Sequence, residues 1–167
     1  MKGGTNTYTL AVNTGDRFAT LLFYCTNAKA LSSGATFSCS GTDTTPTVLN
    51  VLYIPGYNGG LDVTNSIDDS GSSVSTFSLA TGGMSGSTDL IIAGMQLHQP
   101  QTSWTEGTGF TNLQVDTGSA QMTISYAIAT SKSSVTWSPS WTPSGHANGL
   151  VAAFQASILP QQNLVFM

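Results

Sequence analysis

The stretch from Ala120 to Ala156, AQMTISYAIATSKSSVTWSPSWTPSGHANGLVAAFQA, decides the fold. Met122, Ile124, Tyr126 and Ile128 alternate with Thr123, Ser125 and Ala127. A period of two describes a strand with one apolar face and one small or polar face. Thr130 to Ser134 reads as a polar turn, and Val135 and Trp137 then share a face. Pro139 and Pro143 bracket an expected loop carrying Trp141, since Pro cannot donate to a sheet ladder. Asn148 and Gly149 lead into Leu150, Val151, Ala152, Ala153 and Phe154, a short apolar run that suits a strand buried on both sides. The stretch therefore reads as three successive strands.

The same grammar continues upstream. Strands are expected over Thr5 to Val12, Arg17 to Cys25, Ala35 to Cys39, Thr47 to Ile54, Val74 to Leu79, Asp89 to Leu97 and Phe110 to Val115. TVLNVLYI and DLIIAGMQL are the most apolar of these and are expected to be central. Pro55 to Gly60 and Pro100 to Gly109 read as loops. Leu61 to Ser73 reads as polar and irregular, with at most one helical turn near Ser66 to Ser70. No segment sustains a 3.6-residue pattern. The expectation is an all-β, antiparallel β-sandwich, jelly-roll-like, with about ten strands and little or no helix. The sandwich domain is placed at residues 1–156 and a C-terminal tail at 157–167.

Composition narrows the function. Only 7% of the 167 residues are charged, against about 25% in an average soluble protein. Ser, Thr, Asn and 18 Gly make up the difference. The net charge is -4, and the cations are Lys2, Arg17, Lys29 and Lys132. Phosphate backbones need clustered Lys and Arg, so nucleic acid is excluded as a partner. No run approaches the roughly 18 apolar residues of a membrane span, so no membrane insertion is expected. MKGGTNTYTL carries no apolar core of a secretory signal. Assembly in a host cytoplasm followed by work outside cells, as in a virion, reconciles that with the low charge. A secreted or cell-surface domain that has lost its signal is the alternative.

Few residues carry reactive chemistry. His98 and His146 are the two histidines, and neither has the spacing of a hydrolytic triad. Asp68 and Asp69 are adjacent and would face opposite ways on a strand, while Glu106 is the single Glu, so a glycosidase pair is not expected. Asp62, Asn65, Asp68 and Asp69 share one polar segment that offers oxygen ligands to calcium, but their spacing fits no EF-hand; a solvated turn is the preferred reading, and no cofactor is expected. Cys25 and Cys39 flank a hairpin, and either a disulfide or two reduced thiols fits. Tyr57, Trp104 and Trp141 are loop aromatics that would either face a sugar ligand or cap the sandwich core.

A resemblance covers nearly the whole chain. It runs through Asn6-Thr7-Tyr8, Phe23-Tyr24-Cys25-Thr26-Asn27, Tyr53-Ile54-Pro55-Gly56 and Leu61-Asp62. It continues through Asp89-Leu90-Ile91-Ile92-Ala93, Ser125-Tyr126, Val135-Thr136-Trp137 and Val151-Ala152-Ala153-Phe154. This order resembles a β-sandwich, jelly-roll-like surface module of large secreted bacterial proteins and phage structural proteins. The resemblance implies a surface or adhesion role and no catalytic residues. Members of that family carry one or two strands before the Asn-Thr-Tyr motif, which here lies almost at Met1, and Ser157 to Met167 runs past their usual end. An open sheet edge is therefore expected, to be completed by the tail in its own subunit or a neighbour's. Leu164, Val165, Phe166 and Met167 are the expected docking piece and assembly contact. The function expected is a non-enzymatic structural or decorating subunit of a phage-like particle, partnered by itself or other particle subunits. The alternative is a carbohydrate-binding or adhesion module of a secreted bacterial protein, with surface glycan as partner.

Overall fold

A computed structural model describes residues 2–3, 5–15, 19–38, 49–54, 59–68, 71–115, 121–156 and 164–166. Among the described residues there are sixteen strands and no helix. In chain order they are β1 (Lys2–Gly3), β2 (Thr9–Asn13), β3 (Leu21–Cys25), β4 (Phe37–Ser38), β5 (Leu52–Ile54) and β6 (Leu61–Asp68). Then come β7 (Val74–Thr76), β8 (Leu79–Ala80), β9 (Leu90–Leu97), β10 (Ser103–Thr105) and β11 (Thr111–Val115). The last five are β12 (Gln121–Ile128), β13 (Thr136–Trp137), β14 (Ser140–Gly145), β15 (Ala147–Phe154) and β16 (Leu164–Phe166).

A five-stranded antiparallel sheet, ordered β11-β12-β9-β15-β6, forms the middle of the sandwich. Its inner strands β9 and β15 pair along their full length, from Ala147 opposite Leu97 to Phe154 opposite Leu90. Both faces of this sheet are covered. Ile91, Ala93, Met95 and Leu97 point into one core with Ala147, Val151 and Ala153, under Phe77, Trp137 and Trp141. Leu90 and Ile92 point the other way, with Leu150, Ala152 and Phe154, onto Val12 and Leu22. Burial on both faces is why these two strands read as unbroken apolar runs, whereas a strand with one wet face alternates. Trp137 is 0% exposed, as expected of its strand position. On β12, Met122 and Tyr126 are half-buried against the second core, and Leu52 joins them from β5. The opposite, polar face of β12 is the more deeply buried: Gln121, Thr123 and Ser125 are all inside.

The flanking layers are a four-stranded sheet, β2-β3-β16-β5, over the second core, and the smaller sheets β10-β14-β7 and β13-β8 over the first. The structure departs from the sequence reading in five places. Leu52–Ile54, from the stretch expected to be central, is the edge strand β5 of its sheet, and Ser103–Thr105, inside the expected loop Pro100 to Gly109, is strand β10. Leu61 to Asp68 is neither irregular nor helical but an eight-residue strand paired with β15. The expected strand at Val74 to Leu79 is split between two sheets, so β7 joins β14 while β8 joins β13. Trp141 and Pro143 lie in a strand, because the ladder between β14 and β7 shifts register between Ser140 and Gly145. Pro143 falls within that irregularity, where no ladder donor is required. Val48, within the expected central strand Thr47 to Ile54, lies outside the described residues.

Candidate functional site

The four-stranded sheet is built around the chain's last strand. Val165 lies opposite Cys25 of β3 on one side and opposite Tyr53 of β5 on the other. Leu164 lies opposite Ile54, and Phe166 lies between Tyr24 and Leu52. The backbone of Leu164, Val165 and Phe166 is thus an inner strand of this chain's own sheet, and Met167 lies outside the described residues. The inner side of the sheet sends Leu22, Tyr24, Leu52 and Ile54 into the second core. Alternation then points Leu21, Phe23, Val51 and Tyr53 outward. Leu10 pairs with Phe23 and shares that face. Tyr53 is 57% exposed and Leu10 44%, with Leu21 and Val51 also exposed. Among the described residues this face holds four of the eight exposed large hydrophobic side chains, the other four being Leu31, Leu113, Val115 and Ile128.

The loop aromatics divide. Trp104 of β10 lies directly opposite Trp141 of β14, and their rings stack at 6.2 Å and 15°. Trp141 is 3% exposed and packs edge-on against Phe77, so its faces belong to the core. Trp104 is half-buried at the margin of that core. Tyr57 lies outside the described residues. Beneath the two layers sits Glu106. It accepts hydrogen bonds from Trp137 Nε1 (2.6 Å), Ser125 Oγ (2.6 Å), Gly107 N (2.9 Å), Asn112 Nδ2 (3.1 Å) and Trp104 Nε1 (3.4 Å). Burial opposes its ionisation, but the donors, Ser125 and Trp137 foremost, outweigh burial and hold the carboxyl below its usual range. A carboxylate so fully engaged joins β10, β11, β12 and β13. It has no free edge for acid–base chemistry.

The titratable groups lie at opposite ends of the central sheet. His98 and His146 sit side by side beyond β9 and before β15, with ring centroids 5.9 Å apart and His98 N donating to His146 O. Asp89 precedes β9 at the other end, so about nine extended residues, roughly 30 Å, separate it from His98. Around Asp89 lie Asp62 and Ser85. Ser85 donates to Asp62 through both N and Oγ at 2.6 Å, and Gln155 Nε2 donates to Ser85 Oγ at 2.6 Å. The Ser85 hydroxyl, with other donors, pulls Asp62 down to about 2. Burial and the neighbouring Asp62 raise Asp89 to about 6. A serine and two carboxylates meet there with no histidine in reach, which is not the geometry of an activated nucleophile.

The calcium reading of Asp62, Asn65, Asp68 and Asp69 fails on geometry. Asp62 and Asp68 are six residues apart on one extended strand, about 20 Å, and cannot meet on one ion. Asn65 is engaged with Ala80 O at 2.9 Å, and Asp69 lies outside the described residues. Among the described residues no three of His, Cys, Asp and Glu cluster as metal ligands. Cys25 is buried with a free thiol, its pKa raised by burial, and Cys39 lies outside the described residues. No helix among the described residues is long and apolar enough to cross a membrane. Sequence reasoning missed Glu106 and Asp89 as structural centres. Ser125 and Trp137 lie 19 and 31 residues from Glu106, separations that no local spacing shows, and Asp62 is brought beside Asp89 from another strand.

The fold and this site define an all-β sandwich whose carboxylates tie strands together and whose outer sheet face is apolar. No known protein family matches the sequence, and no curated protein does. Among solved structures, one similar chain belongs to the tripod from the baseplate of bacteriophage Tuc2009. It shares 12% identity over 77% of this chain and 80% of its own, at a TM-score of 0.32. A likeness this distant carries no argument about function.

Proposed function

We propose that this chain is a non-enzymatic structural or decorating subunit of a phage-like particle, partnered by further copies or by other particle subunits. The observation that carries it is the outer face of the β2-β3-β16-β5 sheet. Leu10, Leu21, Val51 and Tyr53 are each exposed there, on a sheet whose inner strand is the C-terminal segment Leu164–Phe166. The tail acts as an assembly element by building that face, and the face makes the subunit contact. The low charge and hydroxyl-rich composition suit a surface that works outside cells. The sequence resemblance to surface modules of phage and secreted bacterial proteins points the same way. On this reading the protein belongs to the virion.

The test is the oligomeric state of the full chain, measured by light scattering. Assembly that is lost on Tyr53→Lys, with the fold intact by circular dichroism, supports the reading. A second reading, a sugar-binding module, is favoured by Trp104, which stays half-buried at the surface with its ring backed by Trp141. A glycan array separates the two: binding by a monomer, lost on Trp104→Ala, favours the sugar-binding reading.

A further inference from the structure

The five-stranded central sheet has two edges, and they are finished differently. At one stands β6, LDVTNSID, which carries Asp62 and Asp68. Strand β2 of the outer layer packs across it. Asn65 Nδ2 donates to Ala80 O at 2.9 Å, and Asp62 accepts from Ser85 N at 2.6 Å, so neighbouring segments close over this edge. At the other edge stands β11, TNLQV, with no charged residue and no Pro. Sheets usually blunt an exposed edge with charge, Pro or a covering segment, because its unpaired N–H and C=O groups recruit another strand. Among the described residues β11 has a ladder with β12 and with no other strand. Thr111, Leu113, Gln114 and Val115 are all exposed. The register shift between Asn112 and Gln114 shortens the regular edge, but it leaves an apolar residue, Leu113, outside the β12 ladder and 43% exposed.

The outer layer ends on the same flank. β2 lies over β6, so β5, at the far end of the β2-β3-β16-β5 sheet, lies toward β12 and β11. Asn50, just before β5, accordingly donates to Met122 Sδ of β12 at 3.1 Å. The exposed Val51 and Tyr53 thus belong to the flank that carries Leu113 and Val115, and a copy seated there covers apolar residues of both layers. The chemistry of the edge suits a second copy of this chain. Antiparallel pairing of a strand with its own image about a two-fold axis matches donors to acceptors by symmetry. An uncharged strand brings no like charges together in doing so, whereas β6 would set Asp62 and Asp68 against their own images. We infer that β11 pairs antiparallel with β11 of a second copy, so that two central sheets become one continuous sheet. The inference rests on assembly through the outer face, because so short a pairing is marginal alone. Copies already joined through that face present two β11 edges at once, which reinforces each pairing.

Hydrogen–deuterium exchange of the full chain, read by mass spectrometry, tests this. The amides of Thr111–Val115 should exchange several-fold more slowly in the assembled wild-type chain than in the Leu10→Lys, Tyr53→Lys double variant at the same concentration. Leu113→Lys should bring them to the rate of the double variant and lower the mass of the oligomer. Ile128→Lys, at an exposed apolar position of the inner strand β12, should change neither. An assembled chain whose Thr111–Val115 amides exchange as fast as those of the double variant would overturn the edge pairing and leave the assembly reading standing. A chain that is monomeric at every concentration would overturn both. Equal loss of protection in the Leu113 and Ile128 variants would overturn the pairing as well, since added surface charge would then account for it.

Discussion

Trp137 donates its indole N–H to Glu106 at 2.6 Å, inside a core where Trp137 itself has no exposed surface. The pair joins a fully buried aromatic residue of the sandwich to the single Glu of the chain. Four further donors complete the carboxylate. Glu106→Gln places an amide N–H₂ among groups that only donate here, so at least one donor loses its acceptor. The expected loss is about 2–4 kcal/mol, more than one neutral hydrogen bond is worth. Urea unfolding of the two proteins measures it. Trp137→Ala should cost about 3–5 kcal/mol through the cavity it leaves.

Acid should act through the same residue. The folded pKa of Glu106 is lowered, so its contribution is present above the unfolded value and is lost as pH falls through the folded one. The wild-type Tm should therefore decline below the ordinary carboxylate range more steeply than that of Glu106→Gln. Parallel melts from pH 6 to pH 2 give the comparison.

Asp89 carries the opposite sign. Its folded pKa is raised from 3.8 to about 6. Its contribution is complete below the unfolded value and is lost as pH rises through about 6. Asp89→Asn should remove that step and be more stable than wild type at pH 8. Equal pH dependence of the two proteins between pH 4 and pH 7 would count against the Asp62–Asp89 contact.

Gly149 tests the packing of the first core. A Cβ built there would meet the tip of the Phe77 ring at 2.5 Å, and that ring also packs on Trp137 and Trp141. The ring is hemmed in by both indoles, so Gly149→Ala should destabilise by about 1–3 kcal/mol. Gly149→Ala combined with Phe77→Leu should cost less than the two changes summed, because the shorter side chain vacates the contested space.

How much of this was readable depends on where the partners lie. DLIIAGMQL and LVAAF announced β9 and β15 because burial on both faces leaves no polar alternation to confuse the pattern. LDVTNSID hid β6 for the opposite reason. On this sheet edge Val63 and Ile67 reach the first core, while Asp62, Thr64 and Ser66 give the segment the composition of a loop. Trp104 and Trp141 read as loop aromatics because each stands next to Pro- and Gly-rich sequence. Their pairing across two short strands is a long-range event. Glu106 and Asp89 were invisible as centres, since a carboxylate's role is set by donors and neighbours that only the fold brings near.

The C-terminal strand makes the sheet that the proposed function uses. Ending the chain at 163 leaves β3 and β5 without the strand they share. The truncated protein should melt lower and aggregate, because an unpaired sheet interior offers free N–H and C=O groups to other chains. An unchanged Tm on truncation would show that β16 contributes nothing to the sheet.

The most direct test of the account is the mass of the full chain in solution, by size-exclusion chromatography with light scattering over a wide concentration range. The expected result is a defined oligomer that falls to the mass of one 17.3 kDa chain when Leu10 and Tyr53 are both changed to Lys, with the melting curve preserved. A wild-type chain that remains monomeric at every concentration would contradict the proposed assembly role.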